Sequence, residues 1–519
     1  MYKFSRITSS CRFGLLVLTS LLIVSCTSDE ERYPPITEDY CSQVTRHKFP
    51  GLSESLAPLP DSLNSKTGVY VLEEGDISMV YRAWLSEAAE KSIDIQYFIF
   101  SGDNIGLIAV DYLLRAAERG VKVRLLVDDI MVHADADQLL ALDSHPNLSI
   151  KIYNPTTNIG KNLPEKLINL STDFRGFNQR MHNKTFIVDD KVVITGGRNI
   201  ADEYFDYDHE YNFRDRDVLL LGKSTQNVSS SFSDFWNDEI SVPVSDIVDV
   251  TASEVDAESK IDYVHQYACD PSNFWPEVRE NIIQAPIAFE NLCTSGKLAW
   301  VDEVSFISDD PGKNDGKDGL IGGGLSTDSL IMLINNAQES IYIQSPYLVT
   351  TELSQGLFKQ AIARGVDVHI LTNSLLSTDN LEAFSGYKRE RQTLLDIGVN
   401  IYEFRPDAAF RFKIMTGALQ RELDYAPTFG LHAKSMMIDQ KTAVIGTFNL
   451  DPRSANLNTE CLAIIHDASI ATDLFNTMKE EQKPENAWAV TDDFNPDSEA
   501  SIGKRFQLWL RGVVPKSVL

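Results

Sequence analysis

The chain contains two copies of one structural pattern. Residues 92–97 (SIDIQY) recur as residues 340–345 (SIYIQS), and residues 116–123 (AAERGVKV) recur as residues 361–368 (AIARGVDV). In each copy a helix, an apolar strand, a longer helix ending at a glycine and a second apolar strand follow one another. This alternation predicts an α/β fold with two repeated α/β/α halves and pseudo-two-fold symmetry.

A second repeated pattern carries chemically useful side chains. Residues 181–189 (MHNKTFIVD) and 431–439 (LHAKSMMID) both read H-x-K-x4-D, with their histidines 250 positions apart. In a strand, the His and Lys two positions apart point to the same face. An Asn follows each His by 17 positions and a Glu by 28. The repeated set is His182, Lys184, Asp189, Asn199 and Glu210 in the first half, and His432, Lys434, Asp439, Asn449 and Glu460 in the second.

The doubled H-x-K-x4-D motif resembles the phospholipase D superfamily. Residues 196–205 (GGRNIADEYF) and 446–455 (GTFNLDPRSA) are similar to the bacterial cardiolipin synthase C branch. The resemblance spans about residues 65–480. It implies an active site at the interface of the halves, a phosphohistidine intermediate and transfer of a phosphatidyl group to form cardiolipin.

These residue types suit phosphodiester chemistry. One imidazole attacks phosphorus, and the other protonates the leaving alkoxide and then deprotonates the incoming hydroxyl. The lysines and asparagines stabilise the non-bridging oxygens, so no metal or other cofactor is expected. Glu210 and Glu460 are predicted to orient the ring nitrogens that face away from the phosphate.

The residues alone leave open which histidine is the nucleophile. The family resemblance implies that His182 attacks and that His432 is the acid and base. It also implies that Asp189 and Asp439, although part of the catalytic motif, tie their hairpin turns together.

The first 26 residues are typical of an exported lipoprotein. Three basic residues precede an apolar run over residues 13–24, which is too short to span a bilayer comfortably. The run ends in LIVSC, which resembles a bacterial lipobox with Cys26 as the lipidated residue. We therefore predict a signal peptide over residues 1–25 and a protein anchored through Cys26 in the bacterial envelope, facing the periplasm, with inner or outer membrane undecided.

Composition shifts predict the remaining boundaries. A polar, turn-rich stretch over residues 26–65 reads as a tether. The halves are predicted over residues 66–245 and 321–519, with an irregular connection over residues 246–320.

The net charge of -28 is spread along the chain. It argues against nucleic acid as a partner, because that binding depends on Lys and Arg neutralising phosphates. The expected partners are a membrane surface and its phospholipids, with phosphatidylglycerol as acceptor and phosphatidylethanolamine as a further candidate. The sequence identifies no protein partner.

Three other functions are compatible with parts of the sequence. Water as acceptor makes the protein a phospholipase D that releases phosphatidic acid. An exported phosphodiesterase or nuclease is disfavoured by the lack of a basic stripe. A lipoprotein scaffold without enzymatic activity is disfavoured because both polar sets are intact.

We also interpret four smaller features. Cys269 and Cys293 form a disulfide, or the four cysteines after the signal segment are free thiols. Residues 506–515 dock on a bilayer or pack as a helix. Residues 372–380 resemble the same branch, and their role in headgroup or acceptor binding is a hypothesis. Residues 133–137 (HADAD) are interpreted as a polar loop rather than a metal site.

Overall fold

The computed structural model describes residues 38–129, 136–155, 179–248, 256–314, 321–415, 425–512 and 514–515. The predicted signal peptide, Cys26, His133 and Asp135 lie outside the described residues. Among the described helices, none is long and apolar enough to cross a membrane.

The first half contains ten of the strands in the described part of the chain. They are β1 (Thr67–Leu72), β2 (Ser92–Tyr97), β3 (Lys122–Asp128), β4 (Leu148–Tyr153), β5 (Thr185–Val188), β6 (Val192–Gly196), β7 (Tyr211–Arg214), β8 (Asp217–Gly222), β9 (Ser241–Pro243) and β10 (Ala299–Val301). The helices up to this point are α1 (Leu52–Leu56), α2 (Pro60–Ser65), α3 (Gly75–Ala88), α4 (Asn104–Glu118), α5 (Ala136–Asp143), α6 (Thr225–Asn237), α7 (Ala257–Cys269) and α8 (Pro276–Thr294).

The second half repeats this order. Its strands are β11 (Val304–Ser308), β12 (Ser340–Gln344), β13 (Asp367–Asn373), β14 (Asn400–Phe404), β15 (Thr428–Leu431), β16 (Lys434–Ile438), β17 (Thr442–Gly446), β18 (Cys461–His466) and β19 (Ala487–Ala489). Its helices are α9 (Leu325–Asn336), α10 (Glu352–Ala363), α11 (Leu381–Ile397), α12 (Arg411–Ile414), α13 (Pro452–Asn456), α14 (Ala468–Glu481) and α15 (Ile502–Arg511).

The two large sheets have matching strand orders. Within the described residues the first is β10-β1-β8-β6-β5-β2-β3-β4-β9 and the second is β11-β18-β17-β16-β12-β13-β14-β19. In the first sheet, β2 pairs parallel with β3 and antiparallel with the motif strand β5. In the second sheet, β12 pairs parallel with β13 and antiparallel with the motif strand β16. The predicted two-half α/β architecture is confirmed.

Both motif hairpins turn in the same way. Asp189 and Asp190 have φ of 53° and 56°, and Asp439 and Gln440 have φ of 53° and 50°. Two consecutive residues with positive φ make the tight turn that matches the twist of a hairpin. The aspartates tolerate this conformation because each carboxylate accepts three backbone N–H bonds, from residues 90–92 and from residues 338–340.

One apolar cluster joins the halves. It contains Ile187, Val193 and Leu220 from the first sheet together with Met437 and Ile445 from the second, all at most 1% exposed. A short two-stranded sheet also crosses the seam, where β7 pairs parallel with β15. The halves therefore share a core and form a rigid seam.

The connection between the halves is more regular than predicted. Residues 246–320 contain α7 and α8, and then β10 and β11, which complete the edges of the first and second sheets. The prediction of an irregular connection was wrong. It relied on the glycine- and aspartate-rich segment over residues 308–324, at the C-terminal end of the connection. The helices carry apolar faces, including Val264, Val278, Ile282 and Phe289, that pack on the first half.

The described part of the predicted tether is also structured. Leu52 and Leu56 on α1 are buried in the core of the first half. These few apolar side chains outweigh the polar composition of residues 38–65, because each buried leucine contributes about 2 kcal/mol.

The disulfide joins a different pair of cysteines from the one predicted. Cys41 bonds to Cys269 with a Cα–Cα distance of 5.0 Å, whereas Cys293 and Cys461 are free. Cys269 ends α7, and Cys293 lies 17 residues into α8, about 26 Å along that helix. The helix therefore carries Cys293 away, while residues 38–65 bring Cys41 to the end of α7.

Candidate active site

Both motif histidines lie at the seam and are held by the opposite half. The backbone N–H of His182 donates to the Thr459 carbonyl at 3.0 Å. The backbone N–H of His432 donates to the Arg214 carbonyl at 2.8 Å. The two side chains are buried, with 6% and 5% exposure, and the small exposed fraction leaves only a narrow access to the rings.

Each histidine ring is paired with a carboxylate from the other half. His182 Nδ1 lies 2.8 Å from Glu460 Oε2, and His432 Nδ1 lies 2.5 Å from Asp215 Oδ2. Both carboxylates are buried, so water does not weaken these bonds. A carboxylate on Nδ1 fixes the ring orientation, stabilises the imidazolium and turns Nε2 away from the carboxylate.

The predicted role of Glu210 was wrong. Glu210 is exposed, and its backbone carbonyl accepts a bond from Thr428 N. The orienting carboxylate of His432 is Asp215, five residues further along the chain. Glu460 does orient a histidine, but it is the one in the opposite half.

Asp215 was missed because the first half has an insertion. In both halves the orienting acid precedes an apolar strand, β8 after Asp215-Arg216 and β18 after Glu460. The two strands are equivalent, since Gly197 N donates to Arg216 O and Thr447 N donates to Cys461 O. The acid therefore lies 33 positions after His182 but 28 after His432. Alignment to the following strand, rather than to a constant offset, identifies Asp215.

In each half, the residue that follows the glycine at the end of β6 or β17 lies next to the orienting carboxylate. Thr447 donates its hydroxyl to Glu460 Oε2. The equivalent position is Gly197, where a Cβ atom would lie 2.0 Å from Asp215 Oδ1. Asp215 occupies the space that a side chain would need, so only glycine is compatible with it there.

The two lysines lie next to the rings. Lys184 Nζ donates to the His182 carbonyl at 2.8 Å, and Lys434 Nζ lies 2.7 and 2.8 Å from the two ring nitrogens of His432. Burial lowers the pKa of Lys184 to about 8. Burial and, secondarily, the charge of Lys184 lower the pKa of Lys434 to about 7, against the opposing effect of Asp215. In the empty site the two ammonium groups therefore lose their protons at a lower pH than usual, whereas a bound anion favours their protonated forms.

The histidines are also shifted toward their neutral forms. Burial lowers the pKa of His182 to about 4, although Glu460 partly opposes the shift. Burial and the Lys434 charge lower the pKa of His432 to about 3. Nδ1 of His182 is hydrogen-bonded while no bond to its Nε2 is present in the described part of the chain, so a neutral, nucleophilic nitrogen is available at neutral pH.

The asparagines and motif aspartates fall into two groups. Asn199 and Asn449 are buried, and the Asn449 side-chain oxygen has no hydrogen-bond partner among the described residues. Their contact with a phosphate stays a prediction. Asp189 and Asp439 instead bind backbone N–H groups behind their hairpins, which places them in a structural role.

The residues on either side of Asp215 belong to a network of buried ion pairs. Arg214 and Arg216 both pair with Glu73, and Arg214 also pairs with Glu481 from the other half. Arg216 donates to the Gln344 and Ser435 side chains at 2.6 and 2.8 Å. The network brackets Asp215, so it holds the carboxylate that orients His432.

An α/β/α repeat whose two H-x-K-x4-D motifs meet at the seam defines a protein of the phospholipase D type. The family described as "Cardiolipin synthase, PLD-like domain" matches residues 84–236 and 330–481. The chain belongs to this family and is an enzyme of the phosphatidyltransferase and phosphodiesterase class.

Individual relatives agree with this assignment. The chain is 33% identical over 424 residues to cardiolipin synthase C of Escherichia coli, covering 82% of this chain and 86% of the relative. It is also 33% identical over 413 residues to an uncharacterized protein of Helicobacter pylori, covering 77% and 76%. The structure of phosphatidylserine synthase from Haemophilus influenzae has a TM-score of 0.56 at 15% identity, covering 90% of this chain and 99% of that one, so the fold is shared.

We expect Asp215→Asn to lower turnover of a soluble phosphodiester by about 10²- to 10⁴-fold, because an amide cannot hold the ring and stabilise the imidazolium as a carboxylate does. Steady-state kinetics measures the loss, and it should fall on kcat rather than KM. Glu210→Gln is the matched control and should leave turnover unchanged. Equal losses in the two variants would restore Glu210 as the orienting acid.

We expect sulfate, whose charge is constant near neutrality, to bind the site less tightly as the pH rises. Lys434 and Lys184 lose their protons around pH 7 and 8, so affinity should fall roughly tenfold or more between pH 7 and 9. Isothermal titration or competitive inhibition measures this. Lys434→Met should make the profile shallower, because Lys184 alone still titrates in this range, whereas Lys441→Met, at an exposed lysine of the same hairpin, should leave the profile unchanged. A flat wild-type profile would contradict the lowered lysine pKa values.

Proposed function

We propose that this enzyme transfers a phosphatidyl group between phospholipids through a phosphohistidine intermediate, with cardiolipin as the product. The observation that carries the proposal is the crossed pairing, in which His182 is held by Glu460 and His432 by Asp215. Two imidazoles presented from opposite halves suit a displacement in which one attacks phosphorus and the other serves the leaving oxygen.

In the first step, Nε2 of His182 attacks the phosphorus of the donor lipid. The bond between phosphorus and the headgroup oxygen breaks, and the His432 imidazolium gives its proton to that oxygen. His432 is neutral in the empty site because burial and Lys434 lower its pKa. The anionic phosphate offsets the lysine charges, and Asp215 then stabilises the imidazolium.

In the second step, the terminal hydroxyl of phosphatidylglycerol is the acceptor. His432 takes the hydroxyl proton as that oxygen attacks phosphorus, and the phosphorus–nitrogen bond to His182 breaks. The proton returns to its starting place, so the cycle consumes no cofactor. Lys184 and Lys434 neutralise the non-bridging oxygens in both steps.

The similarity to Escherichia coli cardiolipin synthase C supports membrane phospholipid as the substrate class. Phosphatidylglycerol and phosphatidylethanolamine are the two donors that we propose to test. If water replaces the lipid hydroxyl, the same intermediate yields phosphatidic acid.

We expect the purified full-length protein to form cardiolipin on liposomes of phosphatidylglycerol and phosphatidylethanolamine, separated by thin-layer chromatography. His182→Asn should abolish the product, because the ring that accepts the phosphatidyl group is gone. With a donor radiolabelled on phosphorus and acid quenching avoided, wild-type protein should carry alkali-stable label that His182→Asn lacks.

His466→Asn is the control, since His466 lies at the exposed end of β18 and its ring bonds only to the Thr442 hydroxyl among the described residues. Phosphatidic acid alone would show hydrolysis instead of transfer. Label that persists in His182→Asn would move the nucleophile to another residue.

We also propose that the protein is a lipoprotein of the bacterial envelope, anchored through Cys26. The basic and apolar residues before Cys26 support export. The Cys41–Cys269 disulfide supports an oxidising compartment such as the periplasm. Eleven residues lie between Cys26 and Glu38, which gives a reach of at most about 40 Å.

Cys26→Ala should move the protein from the membrane fraction to the soluble periplasmic fraction or leave it as an uncleaved precursor. Immunoblotting of fractionated cells measures both outcomes. Cys293→Ala, at a free cysteine of α8, is the matched control and should not change the distribution. A mature Cys26→Ala protein that stays in the membrane fraction through an alkaline carbonate wash, as wild type should, would contradict the lipid anchor.

A further inference from the structure

The C-terminal helix α15 exposes an unusual amount of apolar surface. Ile502, Phe506, Trp509 and Leu510 are 78%, 58%, 72% and 43% exposed. On a helix of 3.6 residues per turn these four side chains lie within an arc of about 100°. We call them the α15 apolar face. A continuous apolar stripe of this kind marks an interaction surface rather than scattered surface residues.

The opposite side of α15 is fixed to the protein. Leu508 is 4% exposed and packs into the core of the second half. Lys504 Nζ donates to the Leu376 and Thr378 carbonyls at 3.1 and 3.4 Å, and Arg511 pairs with Glu382 at the start of α11. The helix is therefore held in place, and its apolar face has to point outward.

The helix also lies beside the active site. The segment that it contacts, residues 374–380, follows β13, and Asp379 is its one exposed residue. In the buried part of this segment, the Ser377 carbonyl accepts a hydrogen bond from the Tyr211 hydroxyl. The Tyr211 ring contacts Phe213 at 5.0 Å, and Phe213 contacts the His432 ring at 4.7 Å. A short series of contacts thus connects α15 with a catalytic ring.

We propose that the α15 apolar face docks the enzyme on the surface of a phospholipid bilayer and so turns the side of the second half that carries α15 toward the membrane from which substrate enters. This inference rests on the proposed function, because that function requires a substrate that resides in a bilayer. The bilayer contact itself is independent of the reaction that follows.

The composition of the helix fits a bilayer surface. Phe506 and Trp509 stack at 5.9 Å and present a broad aromatic surface, and tryptophan favours the boundary between headgroups and acyl chains. Residues 502–511 contain Lys504, Arg505 and Arg511 and no acidic residue, in a chain with net charge -28. Arg505 is exposed beside the apolar face, where its charge complements lipid phosphates.

The test uses full-length protein and vesicles of phosphatidylglycerol and phosphatidylethanolamine whose acyl chains carry bromine. Bromine quenches tryptophan fluorescence at short range, and the chain has six tryptophans. The quenched signal should be present in wild-type protein and largely lost in Trp509→Phe. This readout needs no catalysis, so it stays informative even if the proposed reaction is wrong.

A second measurement compares substrates. Phe506→Ser/Trp509→Ser should lower turnover of phospholipid in vesicles by roughly tenfold or more, since apolar burial drives interfacial binding. Turnover of a short, water-soluble phosphodiester should stay unchanged and shows that the variant is folded. Ile287→Ser removes another exposed apolar side chain, from α8 in the connection, and should change neither rate.

Three results would overturn the proposal. One is a Trp509 signal that brominated lipid does not quench. Another is a double variant that acts on vesicles as well as wild type does. The third is a change in molecular mass by light scattering when the α15 apolar face is altered, which would make the face a contact between copies of the chain.

Discussion

The structure depends on two histidine–carboxylate bonds that cross between the halves. Glu460 holds His182 and Asp215 holds His432, so neither half contains a complete set of its own. A single copy of the repeat would leave a buried imidazole without its partner and a buried carboxylate without its counter-charge, both costly. This reciprocity explains why the halves share an apolar core and why a two-stranded sheet, β7 with β15, crosses beside the histidines.

Burial makes the same groups reactive. Without water around them, the histidines remain neutral near pH 7 and the lysines hold their protons loosely. An anionic phosphodiester offsets the positive charge of such a site, so its binding favours the protonated lysines and one protonated ring. The ion network around Arg214 and Arg216 holds Asp215 in place, which lets its charge act without reorganisation during the reaction.

Most of the site was predictable because its residues sit in short, repeated motifs. His182, Lys184, His432 and Lys434 are placed by two identical strand-and-turn units, and local spacing determines which face they share. Glu210 shows the limit of that reasoning. A five-residue insertion before β8 moved the orienting acid to Asp215, and only strand pairing reveals that Asp215 and Glu460 occupy equivalent positions. The local sequence pattern also did not predict the disulfide of Cys41 or the helices of residues 38–65. The partner of Cys41 lies more than 200 residues away, and the helices pack on a distant core.

The sequence by itself determined the duplication, the α/β class, the family and the four side chains at the centre of the chemistry, since each follows from periodicity and from motifs within a few tens of residues. Only the tertiary structure decided which carboxylate serves which ring, which cysteines pair, and that the C-terminal helix is both anchored through Leu508 and exposed along its outer face. Those outcomes depend on contacts between segments far apart in the chain, and the energy of such contacts is set by packing and burial that no local pattern records.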